Sequence, residues 1–135
     1  MLNLAVALKM ARPSAEFHVL TAPLDAVLAD DTVLQPDVLV ARAADFTERD
    51  LPKAPLLAVE VLSASTRRVD QLLKPSRLEA TGCPAYWLVD PATPSLRALT
   101  LRSGSYVDHA YVEGDETFHA TTPYPVTFSP ADLLA

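Results

Sequence analysis

Two acidic residues lie at positions where a carboxylate could take part in a reaction, rather than only increase solubility. Asp37 lies at the entry of the apolar run from Val38 to Ala41, and Glu60 interrupts the apolar stretch from Leu56 to Leu62. A charge in a strand that is otherwise apolar on both faces needs a partner or a metal ion. If the two strands pair side by side, both carboxylates meet, and the main-chain carbonyl of Val61 can join them as a ligand of a hard divalent cation.

A site of this kind suits the hydrolysis of a phosphodiester. The metal-assisted reaction needs carboxylates that gather the cation, a water molecule to activate, and a positive group near the attacked phosphate. The segment after the second carboxylate carries a basic cluster that could face phosphate: Arg67, Arg68, Lys74 and Arg77. The residues therefore suit metal-assisted hydrolysis of a phosphodiester.

Each of these residues also has a purely structural interpretation. An aspartate after proline can simply close a turn. Glu60 can form a structural ion pair with Arg67 or Arg68, since a buried carboxylate needs compensation from some source. Lys74 and Asp70 are spaced as an ordinary pair on a helix surface, which contributes only ~0.2 to 0.5 kcal/mol. The sequence leaves these alternatives open.

The cysteine and the histidines give weaker indications of a catalytic or metal-binding role. Cys83 has no partner cysteine and no base beside it in the sequence, so we expect a buried or turn-adjacent thiol rather than a nucleophile. The histidines at positions 18, 109 and 119 stand singly in strand-like segments, without the close spacing that zinc sites show.

The elements that must position the two carboxylates follow from hydrophobic periodicity. Leu2, Val6 and Met10 predict a short amphipathic helix that ends before Pro13. Short strands are predicted in EFHVLTAP, LDAVLADD, VLVAR and LLAVEVL. A helix capped by Ser65 or Thr66 and stopped at Gly82 then leads to the strand AYWLVD, whose Tyr-Trp pair we expect to pack against that helix.

The C-terminal part reads as strands rather than helices. SLRALTLR and YVDHAYVEGD flank a tight turn at Ser103-Gly104, which is typical of an antiparallel hairpin or meander. Ser129 followed by Pro130 predicts the start of a last helical turn. This order indicates an α/β or α+β domain with a mixed sheet, in which a helix crosses between two parallel strands.

Composition limits the possible classes of protein. The 135 residues, half of them hydrophobic, fit one domain with one core. Three glycines leave no glycine-rich phosphate loop, and the net charge of −6 counts against binding dominated by phosphate contacts. A single cysteine fits the reducing cytoplasm, and charges break every apolar run before the ~20 residues that a membrane-spanning helix needs.

Three segments in this order resemble a known family. Pro36-Asp37, then Glu60-Val61-Leu62, then a helix with Lys74, resembles the PD-(D/E)XK nuclease superfamily. A closer likeness, to the bacterial Uma-type family of restriction endonucleases, comes from QPDVLVAR, LLAVEVLSASTRRVDQLLK and GCPAYWLVDP. The resemblance is strong from Val33 to Pro91 and looser over the terminal strands and SPADLL.

The resemblance implies a restriction endonuclease-like fold and a Mg²⁺- or Mn²⁺-dependent endonuclease that cuts DNA. Asp37 and Glu60 would be metal ligands, with the Val61 carbonyl, and Lys74 would be the positive catalytic group. The superfamily usually places that lysine two residues after the glutamate, where this chain has Leu62. The resemblance also implies a homodimer.

Family members carry an upstream helix and hairpin with a further glutamate, so we expect residues 1–135 to form one nuclease-like domain with a shortened N-terminal part. A missing acidic residue would weaken metal affinity. The alternative function is therefore a catalytically inactive module that keeps the nuclease scaffold for binding.

Overall fold

The computed structural model describes residues 2–22, 25–29, 32–47, 50–62 and 74–134. The helices in these ranges are α1 (Leu2–Ala11) and α2 (Lys74–Thr81), with 3₁₀ helices at Ala43–Asp45 and Pro130–Leu134. The strands are β1 (Phe17–Thr21), β2 (Ala26–Ala29), β3 (Thr32–Leu34), β4 (Val38–Arg42), β5 (Leu57–Val61), β6 (Ala85–Asp90), β7 (Ser95–Arg102), β8 (Ser105–Glu113), β9 (Phe118–Ala120) and β10 (Val126–Phe128).

The main sheet has six strands in the order β1-β4-β5-β6-β7-β8. Strands β5 and β6 run parallel, and every other neighbouring pair in this sheet is antiparallel. A parallel pair needs a crossover connection, and α2 lies in the predicted one and ends before Gly82 as expected; the predicted start at Ser65 or Thr66 lies outside the described residues. The mixed sheet with few helices confirms the expected α+β fold.

Side chains alternate between the two faces of this sheet because the strand period is two. We call one side the core face; it carries Val38, Val40, Val59 and Trp87, and it packs on α1, β9 and β10. We call the other side the site face. It carries Leu39, Ala58, Glu60, Leu62 and Leu88, and Leu78 of α2 packs against three of them, namely Ala58, Leu62 and Leu88.

The two aromatic residues predicted to pack on the crossover helix divide between the faces. Tyr86 lies on the site face in one cluster with Leu78 of α2, so half of that prediction is confirmed. Trp87 lies on the core face, where its ring meets Phe118 edge-on at 5.1 Å and Phe128 at 6.0 Å between centroids. Adjacent strand residues point to opposite faces, so one helix cannot cover both.

Helix α1 is amphipathic in a different register from the predicted one. Leu4 and Leu8 are fully buried, whereas Leu2, Val6 and Met10 are 73%, 47% and 82% exposed. The helix is apolar nearly all round, so two stripes compete for the core and spacing alone cannot choose between them. The buried stripe, with Leu4 and Leu8, is held by packing and by the Tyr124 hydroxyl, which donates to the Leu8 carbonyl at 2.6 Å.

The predicted turn and cap residues adopt the required geometry. Ser103 and Gly104 both have positive φ, 52° and 84°, and form a two-residue hairpin loop between β7 and β8. At the last 3₁₀ helix, the Asp132 amide donates to the Ser129 hydroxyl at 3.4 Å, and the Ser129 amide donates to the Asp132 carboxylate at 3.1 Å. This reciprocal cap gives the Ser129 amide an acceptor and adds a second one to the Asp132 amide, which also donates to the Ser129 carbonyl at 3.1 Å.

Candidate functional site

The register between β4 and β5 brings the two predicted metal ligands together. Val38 pairs with Val59 across these antiparallel strands. One further step of the same register sets Asp37 directly opposite Glu60. Directly opposite residues share a face, with Cβ atoms about 4.5 to 5.5 Å apart. Both carboxylates therefore belong to the site face of the sheet.

The backbone of Asp37 still follows the ladder, although the residue lies one position before β4. On the β1 side, the Ala22 amide donates to the Asp37 carbonyl at 3.0 Å, which continues the pairing of Thr21 with Val38. On the β5 side, the Val61 amide donates to Oδ2 of Asp37 at 2.7 Å. The aspartate is thus fixed to both neighbouring strands and does not merely close a turn.

Burial distinguishes the two carboxylates. Glu60 is only 3% exposed, whereas Asp37 is half-buried. A carboxylate as buried as Glu60 carries a large desolvation cost that hydrogen bonds, an ion pair or a cation must offset. The carboxylate of Asp37 on the more accessible side adds to this cost, because like charges repel, and a cation shared by the two would lower it.

The third predicted catalytic residue is only partly described. Lys74 is the first residue of α2, and its side chain lies outside the described part of the chain. Arg67, Arg68 and Asp70, the partners in the structural alternatives, also lie outside it. Leu62, at the position where the superfamily usually has lysine, is buried at 6% exposure and packs in the core.

A divalent metal of the magnesium type fits this set of donors. Mg²⁺ prefers oxygen ligands, is commonly held by one or two carboxylates, and keeps several waters. Asp37, Glu60 and the Val61 carbonyl supply only oxygen donors. Within the described ranges, no group of three or more His, Cys, Asp or Glu side chains is placed to hold a metal, so a closed zinc-type site is not seen there.

The remaining reactive side chains have structural roles. Burial raises the pKa of the Cys83 thiol to about 11, and Sγ donates to the Ala85 carbonyl at 3.3 Å, which makes it a poor nucleophile. His18 lies against the ring of Phe46, and the His119 ring contacts the Thr127 hydroxyl.

Among the described residues, no helix is both long and apolar enough to cross a membrane.

Sequence reasoning missed the contact between Asp37 and the Val61 amide. A carboxylate that precedes a strand by one residue can reach across to the next strand, but only the register shows which amide it meets. The pairing of β4 with β5 was anticipated from the two carboxylates, whereas nothing in the sequence indicated β1 as the second antiparallel partner.

Comparisons with known proteins bear on the family and on the fold. The sequence model of a family described as "Uma2: Putative restriction endonuclease" matches residues 2–133. The fold is similar to a crystal structure described as a putative nuclease belonging to DUF820 from Anabaena variabilis ATCC 29413. That comparison has 15% sequence identity and a TM-score of 0.66, and it covers 97% of this chain and 79% of the other. At this identity the likeness shows the fold alone. No curated protein matches the sequence.

Proposed function

The chain belongs to the Uma2 family, and from that premise we propose that it is a metal-dependent endonuclease that hydrolyses phosphodiester bonds in DNA. The observation that carries the proposal is the register of β4 and β5, which sets Asp37 opposite the buried Glu60. The likeness in fold to a structure described as a nuclease supports the same reaction class.

Two carboxylates at directly opposite positions of neighbouring strands favour binding of a cation. Like charges at close range repel each other, the more so where the surroundings are less polar. A divalent cation held by both would replace that repulsion by attraction. Asp37 is already oriented by the Val61 amide, so its carboxylate loses little freedom when it binds the ion.

The residues take the following roles. Asp37, Glu60 and the Val61 carbonyl hold Mg²⁺ or Mn²⁺. When bound, the ion supplies an activated water and neutralises charge on the attacked phosphate. Lys74 orients that water or stabilises the charge that develops, which requires its ammonium to reach the site face from the start of α2. The buried surroundings of Glu60 exclude bulk water from its side of the pair.

Cleavage of supercoiled plasmid tests the assignment. The wild-type protein should convert plasmid to nicked and linear forms in Mg²⁺ or Mn²⁺, and the reaction should stop with a chelator. Asp37→Asn and Glu60→Gln, which preserve shape, should lose the activity, whereas Asp115→Asn, an exposed aspartate far along the chain, should retain it. Activity that survives in the Asp37→Asn and Glu60→Gln variants refutes the metal-binding roles of these two carboxylates.

An inactive binding module is the second candidate function. The buried Leu62, directly after β5, occupies the position of the usual catalytic lysine, and the net charge of −6 opposes contact with phosphate. This module would show no saturable binding of Mn²⁺ at roughly millimolar concentration, the weak end of protein sites for such ions.

We also propose a homodimer in the cytoplasm. The exposed apolar stripe of α1, formed by Leu2, Val6 and Met10, supports a second copy as its cover. The single cysteine supports a reducing compartment. Light scattering after gel filtration should give twice the chain mass for the wild type and the monomer mass for Val6→Lys. A wild-type monomer contradicts the dimer.

A further inference from the structure

A cavity of about 160 Å³ opens on the site face beside the carboxylate pair. Its volume is several times the roughly 30 Å³ that a water molecule occupies in the liquid. The lining residues come from the ends of β5 and β6, the turn after β6, and strands β7 and β8: Leu62, Leu88, Asp90, Thr93, Ser95, Arg97 and Tyr111. Leu62 joins this cavity to the carboxylate site, since it follows Glu60 by two residues on the same face.

One lining residue is buried and, among the described residues, has no hydrogen-bond partner for its side chain. Ser95 is 5% exposed, and in the described part of the chain no hydrogen bond joins its hydroxyl to the protein. The other buried serine there, Ser129, caps the last 3₁₀ helix. A buried hydroxyl without a partner costs roughly 1 to 3 kcal/mol, so the position calls for a bound acceptor or donor.

Arg97 lines the same cavity, and the strand register sets it in line with Glu60. The register runs from Glu60 to Leu88 on β6 and from Leu88 to Arg97 on β7. Two strand spacings separate Glu60 from Arg97, about 10 Å. A phosphate adjacent to the attacked one along a nucleic acid strand lies within the reach of an arginine side chain at this distance.

The present contacts of Arg97 leave it available to an anion. Its Nη1 donates to Oδ1 of Asp108 at 2.9 Å, and its guanidinium lies 5.0 Å from the centre of the Tyr111 ring. Both members of the ion pair are largely exposed, 46% for Arg97 and 67% for Asp108, and such pairs contribute about 0 to 1 kcal/mol. Tyr111 lines the cavity too, so its contact with the guanidinium can remain when a phosphate displaces the aspartate.

The charges around the cavity restrict a bound anion to the side of Arg97. Asp90 lines the cavity as well, and its Oδ1 accepts the Ala92 amide at 3.0 Å within the turn after β6. Asp90 and Asp108 both repel an anion that does not lie close to the guanidinium of Arg97. A phosphate that accepts from Arg97 and from the Ser95 hydroxyl satisfies both groups, because arginine presents a fork of donors that matches phosphate oxygens.

We propose that Arg97 and Ser95 form a binding subsite for a backbone phosphate of the DNA strand, next to the phosphate that is attacked. This rests on the proposed function, which it extends by naming the residues that position the substrate strand. Arg97 is a positioning residue, and it does not take part in bond cleavage.

Binding of a fluorescently labelled DNA duplex, followed by anisotropy over a range of salt concentrations, tests the subsite. Arg97→Gln should weaken binding about tenfold, and the slope of log K against log salt should fall by about 0.9, the value for one lost phosphate contact. Arg102→Gln removes the same charge at the hairpin end of β7 and should change little. Asp108→Asn frees Arg97 and should tighten binding.

Ser95→Ala separates the subsite from a structural role. Loss of a phosphate contact should weaken DNA binding several-fold, while removal of an unpartnered buried hydroxyl should leave the melting temperature unchanged or raised. Wild-type affinity in Arg97→Gln, or equal losses in Arg97→Gln and Arg102→Gln, overturns the subsite even if plasmid is cleaved. Binding that depends on Arg97 without any cleavage supports the subsite and counts against the nuclease.

Discussion

The hydrogen bond between the Asp37 carboxylate and the Val61 amide gives Asp37 a structural role that can be measured apart from metal binding. Asp37→Asn and Asp37→Ala both remove the charge, but only the asparagine keeps an oxygen that can accept the amide at the observed 2.7 Å. In Asp37→Ala, this partly buried amide loses its acceptor, which costs about 1 to 3 kcal/mol. We expect the alanine variant to be less stable than the asparagine variant by about 1.5 kcal/mol.

The assay is urea unfolding in the presence of a chelator, read by tryptophan fluorescence. Trp87 is the only tryptophan and is 2% exposed, so its emission reports unfolding of the core. An unfolding entropy of about 2.1 cal/mol/K per residue converts the difference to about 5 °C in melting temperature. Equal stability of the two variants, within about 0.5 kcal/mol, would refute the claim that this hydrogen bond fixes the carboxylate.

Three other predictions concern the scaffold. Burial raises the pKa of the Cys83 thiol from 9.0 to about 11, so the folded state holds this proton more tightly than the unfolded chain does. The free energy of unfolding should therefore fall as pH rises from 9 towards 11. Urea titrations at pH 8 and pH 10 should show a smaller fall in the free energy of unfolding for Cys83→Ala than for the wild type. Gly104→Ala should lower the melting temperature at a cost of ~1 kcal/mol, because a side chain disfavours the backbone φ of 84° found there. The new Cβ has no neighbour within contact distance, so the cost comes from the backbone alone. An unchanged melting temperature would contradict the turn geometry. Ser129→Ala and Asp132→Ala should each cost ~1 kcal/mol by thermal unfolding, and because the two residues cap each other, the double variant should lose less than the sum.

Local signals predicted the elements that position the candidate site. Glu60 was recognisable because a single charge in an apolar strand is rare, and Asp37 because it opens the neighbouring strand. The turn at Ser103-Gly104 and the cap at Ser129 depend on residues adjacent in the chain, so both can be predicted without knowledge of the tertiary structure. Their predicted structures are confirmed.

Features that depend on distant contacts were not predictable. Which stripe of α1 faces the core depends on β1 and the C-terminal strands, and the stripe with Leu4 and Leu8 prevails. Likewise, Arg97 reads as an ordinary polar residue of an alternating strand. Its place in line with Glu60 follows from two successive strand pairings that the sequence does not encode locally.

Calorimetric titration with Mn²⁺ tests the central claim most directly, because it measures whether Asp37 and Glu60 share one cation. We expect saturable binding of one ion per chain in the wild type and in Asp115→Asn, and none in Asp37→Asn or Glu60→Gln variants that unfold cooperatively. Absence of binding to the wild type, or undiminished binding in Glu60→Gln, would contradict the account.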